Sequence, residues 1–256
     1  NTPVQSTEEN ETEAQYKQIL NNLLGEQIVN TDEKIAQIIE TEVFVQGALC
    51  TCFSGQCYFS SFAGGNSGNR GRCAQPCRLP FDNGRNNDYS LSLKDMCTIE
   101  MVPALIEAGI DSFKVEGRTK SLYYVSAVAK AYREAIDKVY TNPNADMQPY
   151  FEELLKVGNR GYTTGFYLGE GYPKDGYSHD ISKGLAGADF LCEIGGKYNS
   201  DGIETTGLKQ TEDDWYRIKI KNKFFKNEDI EIISPSEKYI TQVTEIKTLK
   251  GEELEL

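Results

Sequence analysis

Histidine is almost missing from this chain: His179 is the only one among 256 residues. Serine and cysteine proteases need a base beside the nucleophile, which is normally a histidine. The common zinc proteases need an HExxH motif, and the chain contains none. Proteolysis by these routes would therefore depend on His179 alone, and nothing in the sequence ties that residue to a nucleophile.

Long apolar runs are also missing. No window approaches the ~18 consecutive apolar residues that cross a bilayer. No basic segment followed by an apolar one, the pattern of a secretory signal, is seen at the start. We therefore expect a cytoplasmic protein with no membrane partner. Hydrophobic residues make up 39% of the chain and recur along its length, which is compatible with a packed core.

Positive charge is scarce, since 27 Lys and Arg stand against 39 Asp and Glu and the net charge is -12. This balance argues against a polyanionic partner for the chain as a whole. The stretch 50–133 is an exception, because it carries 10 basic and 7 acidic groups and is the only positive part. A local basic face is compatible with an anionic substrate, and ordinary surface charge is the competing interpretation.

Apolar periodicity predicts alternating strands and helices in the first part of the chain. The predicted strands are 26–29, Val43–Val45 and 110–115, and the predicted helices are one through Ile35, Ile38 and Ile39, 98–108 and 121–140. Strand and helix alternating at this spacing favour parallel α/β units.

The pattern changes after Tyr140. Residues 141–185 are rich in Gly, Tyr, Asn and Pro and are predicted to form an irregular connection. Short segments of alternating polarity follow, such as WYRIKIK at 215–221, and indicate a small antiparallel barrel or sandwich. We therefore expect an α/β domain over 1–140, a connection over 141–185 and a small β domain over 186–256.

Cysteine, in contrast, is concentrated. Five of the seven cysteines fall between Cys50 and Cys77 in a glycine-rich segment, with the spacing Cys50-x6-Cys57-x15-Cys73-x3-Cys77. No pair of CxxC knuckles is present, so an ordinary zinc ribbon fits poorly. An all-sulfur site suits zinc or an iron–sulfur cluster, and irregular spacing fits a cluster somewhat better. Disulfides and buried free thiols are the alternatives, although the odd count argues against disulfides.

A second group of candidate residues follows the predicted strand 110–115, in the sequence FKVEGRTKS. Ligands of parallel α/β proteins bind at the carboxyl ends of the strands, so this group and the cysteine segment should open on the same face. Lys114 and Arg118 would then bind an anionic group of the substrate. An ion pair between Glu116 and Arg118 is the structural alternative.

Several segments resemble the signature blocks of peptidase family U32, the collagenase-like peptidases. In order, they are EVFVQGALC, SGQCYFS, GNRGRCAQPCR, LSLKDMC, EAGIDSFKVEGRTKSLYYV and NRGYTTGFYLGEGY. The resemblance runs from about residue 4 to the C-terminus. It implies an α/β fold: the C-terminal half of a TIM-barrel-like domain, followed by a small antiparallel β-barrel domain. It also implies an N-terminally incomplete chain, because family members usually carry the first half of the barrel upstream.

The family includes hydroxylation proteins that act without oxygen on the tRNA wobble uridine, on ribosomal RNA or on the ubiquinone ring. Its tRNA branch is linked to prephenate, and its ubiquinone branch contains [4Fe-4S] clusters. The resemblance therefore implies an iron–sulfur enzyme that 5-hydroxylates the tRNA wobble uridine. Its partners would be tRNA or another RNA and a small carboxylated co-substrate such as prephenate. The alternatives are a collagenase-like protease and a non-catalytic subunit that pairs with a second family member.

The resemblance also implies which residues form the site. The metal ligands would be Cys50, Cys57, Cys73 and Cys97, with Cys77 competing for the fourth place and with Cys52 and Cys192 incidental; zinc is the alternative metal. The substrate-binding residues would be Arg70, Arg78, Lys114, Glu116 and Arg118. The chain departs from the family pattern at Gln46, where relatives commonly have histidine.

Overall fold

The computed structural model describes residues 40–82, 87–168, 176, 186–198, 204–205 and 215–248. The chain forms two compact units, which divide between Ala186 and Gly187. The predicted strand at 26–29, the predicted helix through Ile35 and the candidate base His179 lie outside the described residues.

The first unit contains both strands and helices. They are, in chain order, β1 (Glu42–Ala48), α1 (Phe59–Gly64), β2 (Phe81–Asp82), β3 (Asn87–Asp88), β4 (Asp95–Cys97), α2 (Val102–Glu107), β5 (Ser112–Val115), α3 (Leu122–Thr141), α4 (Gln148–Leu155) and β6 (Tyr162–Thr163). Short 3-10 helices occur at Gly68–Arg70, Pro76–Arg78 and Ile99–Met101.

Four of these strands form one mixed sheet in the order β5-β1-β4-β6. β1 pairs in parallel with β5, and β4 pairs in parallel with β6. β4 runs antiparallel to β1, with Gln46 opposite Cys97 and Ala48 opposite Asp95. The mixed α/β class is thus confirmed. The described residues form no closed barrel, so the half TIM barrel stays a prediction.

The core of the first unit lies between the sheet and α3. Val43 and Val45 of β1 are buried in one cluster with the apolar face of α3, while Phe44 between them is exposed. α3 begins at Leu122 because the Ser121 hydroxyl accepts a hydrogen bond from the Tyr124 amide at 3.1 Å. Such a cap stabilises a helix by about 1 kcal/mol.

Two elements differ from the sequence-based expectation. The predicted helix 98–108 divides into the 3-10 helix Ile99–Met101 and the six-residue α2. The segment expected to be an irregular connection contains α4 and β6. Both are short, and β6 has only two residues, so neither produces a periodic signal that outweighs the Gly- and Asn-rich composition around it.

The second unit consists of β-strands in its described part. They are β7 (Cys192–Tyr198), β8 (Glu204–Thr205), β9 (Trp215–Ile220), β10 (Asp229–Ile233) and β11 (Lys238–Gln242). β7 pairs antiparallel with β8 and with β9, and β10 pairs antiparallel with β11. The expectation of small antiparallel sheets is confirmed, although no closed barrel is formed by the described strands. No helix in the described part of either unit is both long enough and apolar enough to cross a membrane.

Candidate functional site

The candidate site centres on residues 50–79, here named the cysteine loop, which begins directly after β1. The loop holds five cysteines together with α1 and two of the 3-10 helices. From Val43 to Phe81 the chain has no Asp or Glu, yet it has three arginines. This composition is unusual in a chain of net charge -12 and makes the loop a local site for negative charge.

Two contacts hold the two halves of the loop together. The Ser60 hydroxyl of α1 accepts a hydrogen bond from the Ala74 amide at 2.9 Å. Gly68 lies so close to Cys73 that a Cβ on the glycine would stand 3.6 Å from the Cβ of that cysteine. The start of the loop at α1 and its later segment around Cys73 are therefore held next to each other.

The thiols of the loop influence one another. The pKa of the Cys52 thiol is raised, first by partial desolvation and then by the neighbouring Cys57. Burial raises the pKa of the Cys77 thiol, and its neighbours Cys73 and Cys50 raise it further against the opposing effect of the adjacent arginine. Five thiols thus belong to one neighbourhood, which includes the predicted ligands Cys50, Cys57 and Cys73.

The chemistry of these donors fits an all-thiolate metal site, but the thiols are not preassembled. Within the described ranges, no group of three or more His, Cys, Asp or Glu side chains is arranged to hold a metal ion. One feature of a thiolate site is already in place, because the Gln75 amide donates a hydrogen bond to the Cys73 sulfur at 3.3 Å. Ligation would require the glycine-rich backbone to draw the thiols together.

Cys97 lies apart from the loop, on β4 and inside the core. It is only 6% exposed, and burial raises the pKa of its thiol to about 11. Its position opposite Gln46 in the antiparallel ladder means that β1, on its way to Cys50, runs away from Cys97. The structure therefore does not bring Cys97 to the other predicted ligands. Cys192 lies on β7 of the second unit.

Arg118 is the predicted substrate-binding residue that lies against the cysteine loop. Gly71 has a φ of +74°, and a Cβ there would stand 3.4 Å from a guanidinium nitrogen of Arg118. The backbone amide of Arg118 donates to a Glu116 carboxylate oxygen at 3.1 Å, so Glu116 orders the turn that carries the arginine. The two groups of candidate residues do meet at this point, as their places at the ends of β1 and β5 predicted.

Arg78 is used by the framework of the loop. Its guanidinium donates to the carbonyl oxygens of Leu93 and Leu49, each at 2.6 Å, and to the Ser92 hydroxyl at 3.3 Å. Burial lowers the pKa of this arginine. The side chain joins the end of the loop to the residues just before β4 and to the residue after β1. Most of its N–H groups are therefore unavailable to a substrate.

Lys114 also has a partner already. Its ammonium lies 2.6 Å from the Glu42 carboxylate, on the exposed side of the sheet, and 5.0 Å from the centre of the Phe44 ring. In the part of the chain that the structure describes, Arg70 and Arg118 form no ion pair, and neither does Arg72, which the sequence reasoning did not select. The signal that identifies Arg72 is the acid-free composition of the loop.

A second polar region was not foreseen and is named here the β4 cluster. It comprises Gln46, Asp95, Cys97, Lys120, Tyr124, Tyr132 and Arg160. Asp95 is fully buried, and its carboxylate binds Arg160 at 2.5 Å and Lys120 at 3.3 Å. A carboxylate without exposure needs such partners, because an unpaired buried charge costs several kcal/mol. The sequence signal for it was weak, being a single Asp in a three-residue strand.

The β4 cluster contains one well-bonded tyrosine and one unbonded tyrosine. The Tyr132 hydroxyl donates to the Val45 carbonyl oxygen at 2.8 Å and accepts from the Thr98 amide at 3.1 Å. The hydroxyl of Tyr124 and the Nε2 atom of Gln46 are buried and have no hydrogen-bond partner in the described part of the structure. Burial raises the pKa of Tyr124 to about 12, so its hydroxyl is neutral at physiological pH.

Comparison with known proteins gives the same family from both units. The model of "Peptidase family U32" matches residues 20–176, and that of "Peptidase family U32 C-terminal domain" matches residues 204–256. No solved structure matches the chain.

Three curated relatives illustrate the range of functions in the family. The tRNA hydroxylation protein P1 of Bacillus subtilis is 33% identical over 81% of this chain and 50% of its own length. A collagenase of Porphyromonas gingivalis is 33% identical over 78% of this chain and 65% of its own. The 23S rRNA 5-hydroxycytidine C2501 synthase of Escherichia coli is 46% identical over 38% of this chain and 16% of its own. The chain spans about half the length of the first of these relatives and about two thirds of the length of the second.

Proposed function

The chain belongs to peptidase family U32, and on that premise we propose that it is an iron–sulfur-dependent RNA hydroxylation protein. Within that class we propose the wobble uridine of tRNA as its substrate, hydroxylated at carbon 5. The observation that carries the proposal is the cysteine loop, which combines five neighbouring thiols, no acidic residue, and the arginines Arg70 and Arg72, which form no ion pair in the described structure. Relatives that act on tRNA and on ribosomal RNA support the choice of substrate. A cytoplasmic location follows from that substrate.

In this proposal Cys50, Cys57 and Cys73 supply three ligands to a [4Fe-4S] cluster. Cys77 is favoured for the fourth position, because its thiol lies in the same neighbourhood. Cys97 is buried on β4 opposite Gln46, apart from the loop. When bound, the cluster would supply electron transfer for the hydroxylation. Zinc in the same place would have only a structural role.

The exposed arginines Arg70 and Arg118 would bind the negative charges of the reactants. A guanidinium matches a phosphate or carboxylate with two parallel hydrogen bonds, and neither side chain is engaged in an ion pair in the described structure. Phosphate groups of RNA and the carboxylates of a small co-substrate such as prephenate both fit this chemistry. Arg78 and Lys114 are bound within the fold, so their substitution would act on the framework first.

Proteolysis is the second candidate, and it is favoured by the relative named collagenase. His179, the only histidine, would be its base. Purified protein that cleaves denatured collagen, and loses this activity on His179→Ala but not on Cys73→Ser, would support proteolysis over hydroxylation. A subunit that assists a second family member is the third candidate. It predicts co-purification with that protein and no activity alone.

Nucleoside analysis tests the main proposal. Total tRNA from cells lacking this gene is digested and analysed by mass spectrometry, and we expect 5-hydroxyuridine derivatives to be lost. The natural gene should restore them, Cys73→Ser should not, and the matched control Cys192→Ser, from the second unit, should restore them fully. Unchanged derivatives in the deletion strain would contradict the tRNA substrate. Protein that stays colourless and iron-free after anaerobic reconstitution would contradict the cluster.

A further inference from the structure

Three aromatic side chains of the cysteine loop face solvent. Phe62 is 92% exposed, Phe53 is 83% exposed and Tyr58 is 72% exposed. Single exposed apolar residues are normal on a protein surface. A group of three large rings within ten residues is not, and such groups mark interaction sites.

The placement of two rings follows from α1. The Phe62 amide donates to the Tyr58 carbonyl oxygen at 2.9 Å, so the two residues lie one helical turn apart on the same face. Phe59, on a different face, is half-buried and packs against Phe81 with ring centres 5.9 Å apart. Phe59 therefore anchors the short helix to Phe81, and Tyr58 and Phe62 lie next to each other on its exposed face.

The charge around these rings favours a polyanion over a protein surface. Arg70 and Arg72 are exposed in the same loop, without ion pairs in the described structure, and no acidic residue occurs between Val43 and Phe81. Most of the remaining chain is acidic. Aromatic rings beside arginines are the usual combination at sites for single-stranded nucleic acid, where rings stack on bases and arginines bind phosphates.

We propose that Phe53, Tyr58 and Phe62 form a stacking surface for unpaired RNA bases, with Arg70 and Arg72 on the adjoining phosphates. Bases in a duplex already stack on each other and leave no open face for a ring, so the surface selects single-stranded or loop nucleotides. This inference rests on the proposed function and narrows its substrate class to unpaired RNA beside the thiols.

Binding of a short RNA tests the stacking surface without depending on catalysis. The full natural chain is titrated into a fluorescein-labelled 12-nucleotide single-stranded RNA and into a matching duplex, and fluorescence anisotropy is recorded at 50 and 200 mM KCl. We expect the single strand to bind more tightly. Each ring should be worth about tenfold in affinity, so the Tyr58→Ala/Phe62→Ala double variant should bind about 100-fold more weakly. Arg70→Gln/Arg72→Gln should reduce the salt dependence.

Tyr140→Ala is the matched control, because Tyr140 is 73% exposed but lies at the end of α3. It should bind the RNA like the natural protein. Circular dichroism checks that the double variant is folded, which we expect because the side chains of Tyr58 and Phe62 are mostly exposed.

Equal affinity of the double variant and the natural protein would overturn the inference and leave the proposed function standing. Failure of the natural protein to bind the RNA would also overturn it, and the nucleoside analysis then decides separately whether hydroxylation survives. Light scattering could show that the natural protein is an oligomer and that the double variant is a monomer with unchanged RNA affinity. The rings would then form a protein interface, and the inference would be wrong. The double variant could lose RNA binding while the deletion strain keeps its tRNA modification. That result would support the stacking surface and contradict the proposed tRNA substrate.

Discussion

The β4 cluster and the cysteine loop contain the same kinds of side chain in opposite situations. In the cluster, the buried Asp95 is bound by Lys120 and Arg160, and every one of these charges has a partner. In the loop, Arg70 and Arg72 are exposed and lack a counter-charge among the described residues. Charges of the cluster are therefore used by the folded structure, whereas those of the loop are available to a ligand.

Removal of Asp95 should give the largest effect that follows from this comparison. Asp95→Ala leaves two cations near the core without their anion, and breaking a buried pair in this way costs about 3–5 kcal/mol. We expect the urea midpoint of the first unit to fall sharply, or the unit to unfold in water. Asp95→Asn, which keeps the shape, should lose most of the same stability.

Asp137→Ala is the control for charge removal, since Asp137 forms an exposed pair with Arg133 on α3. Exposed pairs of this kind contribute little, so its urea midpoint should barely move. If Asp95→Ala unfolded at the same urea concentration as Asp137→Ala, the β4 cluster would not be the framework that its geometry indicates.

Thiol labelling compares the exposed cysteines of the loop with the buried Cys97 of the β4 cluster. The pKa of the buried Cys97 thiol is about 11, so little thiolate is present at neutral pH, and the core also blocks access. At pH 7.5 we expect iodoacetamide to modify Cys50 and Cys73, both exposed, at least ~100-fold faster than Cys97. Peptide mass spectrometry after timed quenching measures the rates. Similar rates at Cys97 and Cys73 would show that β4 opens readily.

The same labelling after anaerobic iron–sulfur reconstitution separates Cys77 from Cys97 as the fourth ligand. Ligated thiols should be protected, so we expect protection of Cys77 together with Cys50, Cys57 and Cys73. Strong protection of Cys77 and unchanged labelling of Cys97 would support the ligand set that the geometry favours. Continued labelling of Cys77 would contradict that set and favour Cys97 as the fourth ligand, as the family resemblance implied.

Much of the fold could be predicted from sequence where an element is long or strictly patterned. The expected helix 121–140 corresponds to α3, and the alternating segment 215–221 contains β9 (Trp215–Ile220). β4 was missed because three residues cannot display a period, and because its pairing partner β1 lies about 50 residues earlier. That pairing is also what makes the sheet mixed, which local patterns cannot reveal.

The candidate site could be predicted only in its composition. Cysteine clustering identified the loop, and the position after β5 identified Arg118. The sequence could not show that Arg78, eight residues from Arg70, is taken up by backbone carbonyls of Leu49 and Leu93. Whether an arginine is free depends on contacts with distant segments, and these exist only after folding.

The smallest expected effect concerns the two tyrosines of the β4 cluster, which provide a matched pair on α3. Tyr132→Phe removes a hydroxyl bonded to Val45 and Thr98, and the loss of such bonds in the core costs about 1–2 kcal/mol. Tyr124→Phe removes a buried hydroxyl that has no partner in the described structure. We expect it to be neutral or to stabilise the fold by up to ~1 kcal/mol.

Urea unfolding of both variants, followed by far-UV circular dichroism, measures this difference. A loss on Tyr124→Phe as large as that on Tyr132→Phe would mean that the Tyr124 hydroxyl is bonded in solution, by water or by Gln46. No loss of stability on Tyr124→Phe would instead mean that the Tyr124 hydroxyl is unsatisfied and that the cluster is less stable than it could be next to Gln46. The sign of the change in unfolding free energy on Tyr124→Phe therefore decides whether every polar group of the β4 cluster stabilises the fold or whether the Tyr124 hydroxyl does not.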